Sequence, residues 1–131
     1  MIHPQLQSVH HIAIICSNYD QSKKFYTAVL GCTIVKETYR AERDSYKLDL
    51  AIGGNYIIEL FSFPNPPARP SQPESCGLRH LAFSVKNIEA SIAALASHGV
   101  TCEPIRVDTL TNKRFTFFAD PDGLPLELYE G

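Results

Sequence analysis

A chain of 131 residues suits one compact domain or two small modules sharing a core, and its 44% apolar and 20% charged content excludes general disorder. A formal net charge of −2 argues against a nucleic-acid binder, which usually shows a basic face. No apolar run approaches the roughly 18 residues that suggest a membrane span, and residues 1–5 lack the basic and apolar regions of a secretory signal, so a cytoplasmic protein is expected.

Residues 9–16 alternate as a strand, with Ile12, Ile14 and Cys16 on one side and His11, Ala13 and Ile15 on the other. Spacing then turns helical from about Tyr19 to Leu30, where Phe25, Tyr26, Val29 and Leu30 make one stripe. Asn18 or Asp20 suits the start, and Gly31 suits a left-handed end. Residues 32–39, 45–52 and 56–63 follow as strands, the last two joined by Gly53-Gly54-Asn55. Five prolines between residues 63 and 73 forbid helix or central strand and mark the connection between halves. A stiff spacer is the reading there, with a lid over a pocket as the alternative.

The second half repeats the order. Residues 78–85 form a strand, and residues 87–98 a helix with Ile88, Ile92, Leu95 and Ala96 facing inward and Gly99 ending it. Strands are expected at 101–106, 114–119 and 124–129, the last preceded by the tight turn Asp120-Pro121-Asp122-Gly123. The period is about 69 residues, since His11 matches His80 and Gly31 matches Gly99. The expected fold is therefore α+β: two tandem βαβββ modules, about 8–63 and 77–130, joined by a linker at about 64–76. Together they form one domain, 1–131, with a curved mixed sheet as a cup and the helices outside. Cys16, Cys32, Cys76 and Cys102 lack any Cys-x-x-Cys spacing and are expected as free, mostly buried thiols.

His11 and His80 each lead a strand of the same character, and Ile58-Glu59-Leu60 and Leu126-Glu127-Leu128 recur in step behind them. If the two histidines and two glutamates share one face, the aliphatic residues beside them pack under the helices. Two carboxylates on an inner sheet face are costly unless paired or coordinated, and two neutral imidazoles do not neutralise them. A divalent ion held by His11, Glu59, His80 and Glu127 is thus expected. Two nitrogens and two oxygens suit Zn²⁺ or Ni²⁺, with Co²⁺, Mn²⁺ and Fe²⁺ as further candidates, and leave room for water or substrate. His10 is expected at a strand edge or behind His11, and His3 and His98 in solvent. Arg106, Lys113 and Arg114 form a basic cluster, either solvated or fit to hold an anion.

Through these modules, the two histidine strands, Ile58-Glu59-Leu60 and the run from Asp120 to Leu128, the chain resembles the vicinal oxygen chelate superfamily. That group contains glyoxalase I, bleomycin resistance proteins and extradiol dioxygenases, and the small bacterial glyoxalase-I-like proteins are most similar. The resemblance implies metal binding by His11, Glu59, His80 and Glu127, a homodimer, a small-molecule substrate, and no nucleic-acid or membrane partner. The acid at position 59 is similar to glyoxalase I and unlike the dioxygenases. This implies a metal-dependent lyase or isomerase that stabilises an enediolate, with Glu127 carrying the proton and Glu59 second in that role. A thiol adduct of a 2-oxoaldehyde is the implied substrate. An iron-dependent extradiol dioxygenase and a non-catalytic binding or resistance module are the alternatives. Ile14, Ile15, Cys16 and Phe63 stand where glutathione-using members carry an arginine and an asparagine, which argues against glutathione itself.

Overall fold

The computed structural model describes residues 2–131; Met1, the first residue of the expected domain 1–131, lies outside them. The chain divides into two compact units, Met1–Pro66 and Pro67–Gly131. Each holds one four-stranded mixed sheet and one main helix, an α+β architecture in βαβββ order.

In the first unit, β1 (Ile12–Cys16) leads to Asn18, whose carboxamide oxygen accepts from the Gln21 amide at 3.1 Å and caps α1 (Tyr19–Lys24). A continuous helix to Leu30 is expected, but the chain widens into a π turn at Phe25–Val29. There the Thr27 hydroxyl donates to the Lys23 carbonyl at 2.7 Å, and the Leu30 amide reaches back five residues to Phe25. The turn puts Phe25 and Tyr26 into the core. Gly31, at φ +79°, ends the helical run. β2 (Thr33–Arg40), β3 (Ser45–Ile52) and β4 (Asn55–Ser62) complete a sheet of order β1-β4-β3-β2, with β1 parallel to β4. Leu48, Leu50, Ile58 and Leu60 are fully buried on one face of it, and each contributes roughly 1.5–3 kcal/mol.

The second unit repeats the arrangement. β5 (Leu81–Val85) precedes α2 (Ile88–Ser97), capped by Asn87, whose carboxamide oxygen accepts from the Ala90 amide at 2.9 Å. β6 (Arg106–Asp108), β7 (Lys113–Ala119) and β8 (Pro125–Glu130) give the order β5-β8-β7-β6, with β5 parallel to β8. The Asp120 carboxylate accepts from the Asp122 and Leu124 amides, both at 2.9 Å, which builds the turn before β8. Leu126 is fully buried, and Phe118, Leu124 and Leu128 are nearly so.

Three expectations shift. β6 starts at Arg106, not at 101, because Pro104 has no amide hydrogen to extend a ladder; only the Glu103 amide reaches β7, donating to Phe117 at 2.9 Å. The strands expected to contain His11 and His80 begin one residue after them. On β8, Pro125 has no N–H to carry the pairing back past Leu81, and on β4 the register slips just before Ile58. All four cysteines are free; Cys16 and Cys32 are buried, Cys102 is half-buried and Cys76 is exposed. Burial pushes the Cys32 and Cys102 thiols up, keeping them protonated.

Candidate metal centre

Glu59 lies in the middle of β4 and Glu127 in the middle of β8, each with an alanine beside it on the parallel strand, Ala13 and Ala82. Alanine is too small to cover a carboxylate, and the histidine two residues earlier lies over the gap. His11 Nε2 stands 3.5 Å from Glu59 Oε1, and His80 Nε2 stands 3.1 Å from Glu127 Oε1. Both glutamates are buried, at 7% and 9% relative exposure.

The four expected ligands are thus brought together as two pairs, one in each unit. Among the described residues, no group of three or more His, Cys, Asp or Glu side chains is placed to hold a metal ion. The chemistry of each pair nevertheless fits one. Two donors about 2.1 Å from a common ion, at the angles of a tetrahedral or octahedral shell, lie about 3.0–3.4 Å apart, close to both measured separations. Each pair offers one imidazole nitrogen and one carboxylate oxygen.

The surroundings of the two pairs differ. In the first unit Asp49 pairs with Glu59 across the β3–β4 ladder, so two carboxylates face one another. Lys47 Nζ lies between them, 2.7 Å from Asp49 and 3.5 Å from Glu59. The Asp49 carboxylate holds Lys47 above the ordinary ammonium range, against the opposing effect of burial. The Tyr56 hydroxyl donates to Glu59 Oε2 in a short bond and approaches Asp49 at 3.4 Å. Burial, followed by the bond to Glu59, pushes the Tyr56 phenol up, so it stays a donor. His10 supports the histidine from behind, with 2.8 Å between the two Nδ1 atoms.

In the second unit Phe117 takes the place opposite Glu127, and its ring meets His80 edge to face at 5.0 Å. Arg79 Nη1 lies 3.0 Å from His80 Nδ1. Beyond His80, the Glu127 carboxylate has no hydrogen-bond or ion-pair partner among the described residues.

Sequence reasoning named the two His–Glu pairs and missed Lys47, Asp49, Tyr56, Arg79 and Phe117 around them. Asp49 and Lys47 were legible by strand alternation. Tyr56 was not: three residues from Glu59, it would face the other way in a regular strand. A bulge, at which Leu50 pairs with Ile58 but Ala51 pairs with Tyr56, turns it onto the glutamate's face. Of the expected basic cluster, Arg114 is bound to Glu130 at 2.7 Å and to Glu89, which hold its guanidinium charged. Lys113 pairs with Asp108 on β6, and His3 and His98 are exposed.

The family model that matches this chain, over residues 8–128, is the Glyoxalase/Bleomycin resistance protein/Dioxygenase superfamily. An uncharacterized Escherichia coli protein, YaeR, is 66% identical over 125 residues, covering 95% of this chain and 97% of its own length. An uncharacterized Bacillus subtilis protein, YwkD, is 61% identical over 125 residues, covering 95% and 98%. A solved structure of a glyoxalase family protein from Enterococcus faecalis superposes with a TM-score of 0.87 at 50% identity, covering 95% of this chain and 98% of that one. The chain belongs to the Glyoxalase/Bleomycin resistance protein/Dioxygenase superfamily.

Proposed function

We propose that the protein is a metal-dependent lyase or isomerase of glyoxalase I type, with His11, Glu59, His80 and Glu127 as ligands of one divalent ion, zinc or nickel first. The substrate is a small molecule with oxygens on adjacent carbons, of which a thiol adduct of a 2-oxoaldehyde is one. The observation that supports this reading is the unequal bonding of the two buried glutamates. When bound, the ion supplies Lewis-acid polarisation of the substrate oxygens.

The residues divide the remaining work. Glu59 Oε2 is engaged by Tyr56 and Lys47, which fix the carboxylate, and Oε1, 3.5 Å from His11, is the oxygen left to face an ion. Among the described residues the Glu127 carboxylate is paired only with His80. Glu127 therefore takes the proton from one substrate carbon and returns it to the neighbouring carbon, while Glu59 stays fixed. Phe117 stands opposite Glu127 and Pro125 two residues before it on β8, and Glu127 is buried there. A homodimer in the cytoplasm belongs to the same reading. Among the described residues, no helix is long and apolar enough to cross a membrane.

The test is elemental analysis of the purified protein, followed by a screen of thiol–aldehyde adducts. About one divalent metal per His₂Glu₂ site and isomerisation of an adduct are expected. Metal-free protein with full activity would overturn the reading. Oxygen uptake with a catechol would move it to ring cleavage, and tight binding without turnover to a binding module.

A further inference from the structure

We propose that the second unit carries an oxyanion subsite beside His80, built from Arg69, Arg79 and Arg106, which receives a carboxylate, phosphonate or phosphate group of the substrate. That the anion belongs to the substrate rests on the function proposed above; that the pocket binds an anion does not.

The proline-rich segment is more than a spacer. Residues from Arg69 to Ser75 form one wall of a cavity of about 450 Å³, and Arg79, Glu103, Arg106, Phe117 and the end of β7 are among the other residues that line it. Three arginines and two glutamates, Glu74 and Glu103, line it, an excess of one positive charge. The three guanidiniums are held in different ways. Arg69 is fixed by neutral acceptors: Nε donates to Ser71 Oγ at 2.9 Å, and Nη2 to the carbonyls of Leu78 at 2.7 Å and Arg79 at 3.2 Å. No carboxylate offsets its charge among the described residues. Ser71 in turn donates to the Gly123 carbonyl at 2.9 Å, which ties the wall to the turn before β8.

Arg79 and Arg106 are oriented by aromatic faces. Arg79 lies 5.9 Å from the centre of the Phe117 ring, and Arg106 lies 5.6 Å from that ring and 5.1 Å from Phe115. Their ion pairs, to Glu74 at 3.2 Å and Glu103 at 3.4 Å, join side chains that are all more than half exposed. Such pairs are worth about 1 kcal/mol or less, so an incoming oxyanion competes for both guanidiniums at little cost. Stacked and planar, they present paired donors that match an oxyanion, and less motion is lost on binding than for lysines. Phe117 touches both the pocket and His80, so an anion held there sits next to one metal ligand. A substrate with an acidic group a few atoms from its reacting carbons fits that spacing.

The test uses the isotopically labelled full-length protein, titrated with inorganic phosphate and, separately, with acetate, against sodium chloride at matched ionic strength. Saturable shifts centred on the Arg69, Arg79 and Arg106 Nε–H resonances and on Phe117 are expected, and whichever anion binds tighter names the headgroup. Arg106→Leu keeps an apolar contact on Phe115 and should weaken binding about tenfold, as loss of one charge-assisted hydrogen bond does. Lys113→Leu removes the same formal charge outside the pocket and should change binding less than twofold. Shifts reproduced by chloride, or equal losses in the two variants, would overturn the proposal. Neither readout needs turnover or bound metal, so this site and the metal reading fail separately.

Discussion

The two units lay their strands in the same order and set a His–Glu pair at the same step of each sheet, yet surround it with opposite chemistry. Where the ladder places Asp49 opposite Glu59, it places Phe117 opposite Glu127. Lys47 gives way to Phe115, and Tyr56, beside Ala51, to Pro125, beside Ala119. One glutamate lies in a polar cage and the other against an aromatic wall. The repeated backbone decides where a donor stands, and its neighbours decide whether that donor is tied down or left available.

Exchanging each acid for its amide is the sharpest way to break the comparison. Glu127→Gln should keep the metal and lose about 10²–10⁴ in turnover, the usual worth of a positioned acid–base group. Glu59→Gln should weaken metal binding more than Glu127→Gln does, because the carboxylate it removes is the one that Tyr56 and Lys47 hold in place as a ligand. Metal content and kcat measured on the same preparations decide it, and matching losses in both variants would erase the distinction between the two glutamates.

The packing beneath the two pairs should respond alike. Ile58 and Leu126 are both fully buried and each precedes its glutamate. Ile58→Ala and Leu126→Ala should each cost about 2–5 kcal/mol, read from denaturant midpoints. A single shifted transition would show that the units unfold together, and two transitions that each keeps its own stability.

The two His–Glu pairs and nearly every strand were legible because alternation and a repeat of about 69 residues both mark them, and neither depends on contacts distant in sequence. His11 and His80 fell just outside their strands because ladder ends are set by partners, here Pro125 and the slip in β4. The polar cage was only half legible. A bulge inverts Tyr56 relative to the alternation, and no local feature of Gly53-Gly54-Asn55-Tyr56 announces it. The pocket of the second unit was illegible for a related reason: Arg69, Arg79 and Arg106 come from a proline-rich segment, the approach to β5 and the start of β6, which only the fold brings side by side.

Tyr56 supplies the next prediction. Tyr56→Phe keeps the ring stacked near His11 but removes the donor to Glu59, and should weaken metal binding about 10–100-fold, the range seen when a group supporting a metal ligand is lost. Competition with a metal-sensitive dye measures it. No hydroxyl or ammonium group reaches the Glu127 carboxylate among the described residues, so changing Phe117 opposite it should not weaken metal binding in this way. An equal effect from Phe117→Leu would show that ring packing, not the hydrogen bond, carries the difference.

The smallest contrast lies in the helix caps. Asn18 and Asn87 make the same bond to an amide three residues on, and an alanine at such a position costs about 0.5–2 kcal/mol. The two sites should not cost the same. Behind Asn87 the first helical residue is Ile88, fully buried, so fraying there draws a core side chain toward water. Behind Asn18 the first residue is Tyr19, which is held independently: its ring stacks on Tyr46 at 4.4 Å and its hydroxyl donates to Glu37. With those contacts intact the chain stays in place when the cap is lost. Asn87→Ala should therefore fall in the upper half of the range and Asn18→Ala in the lower, as measured by thermal unfolding. Adding Tyr46→Ala to Asn18→Ala should restore the full cost of the missing cap.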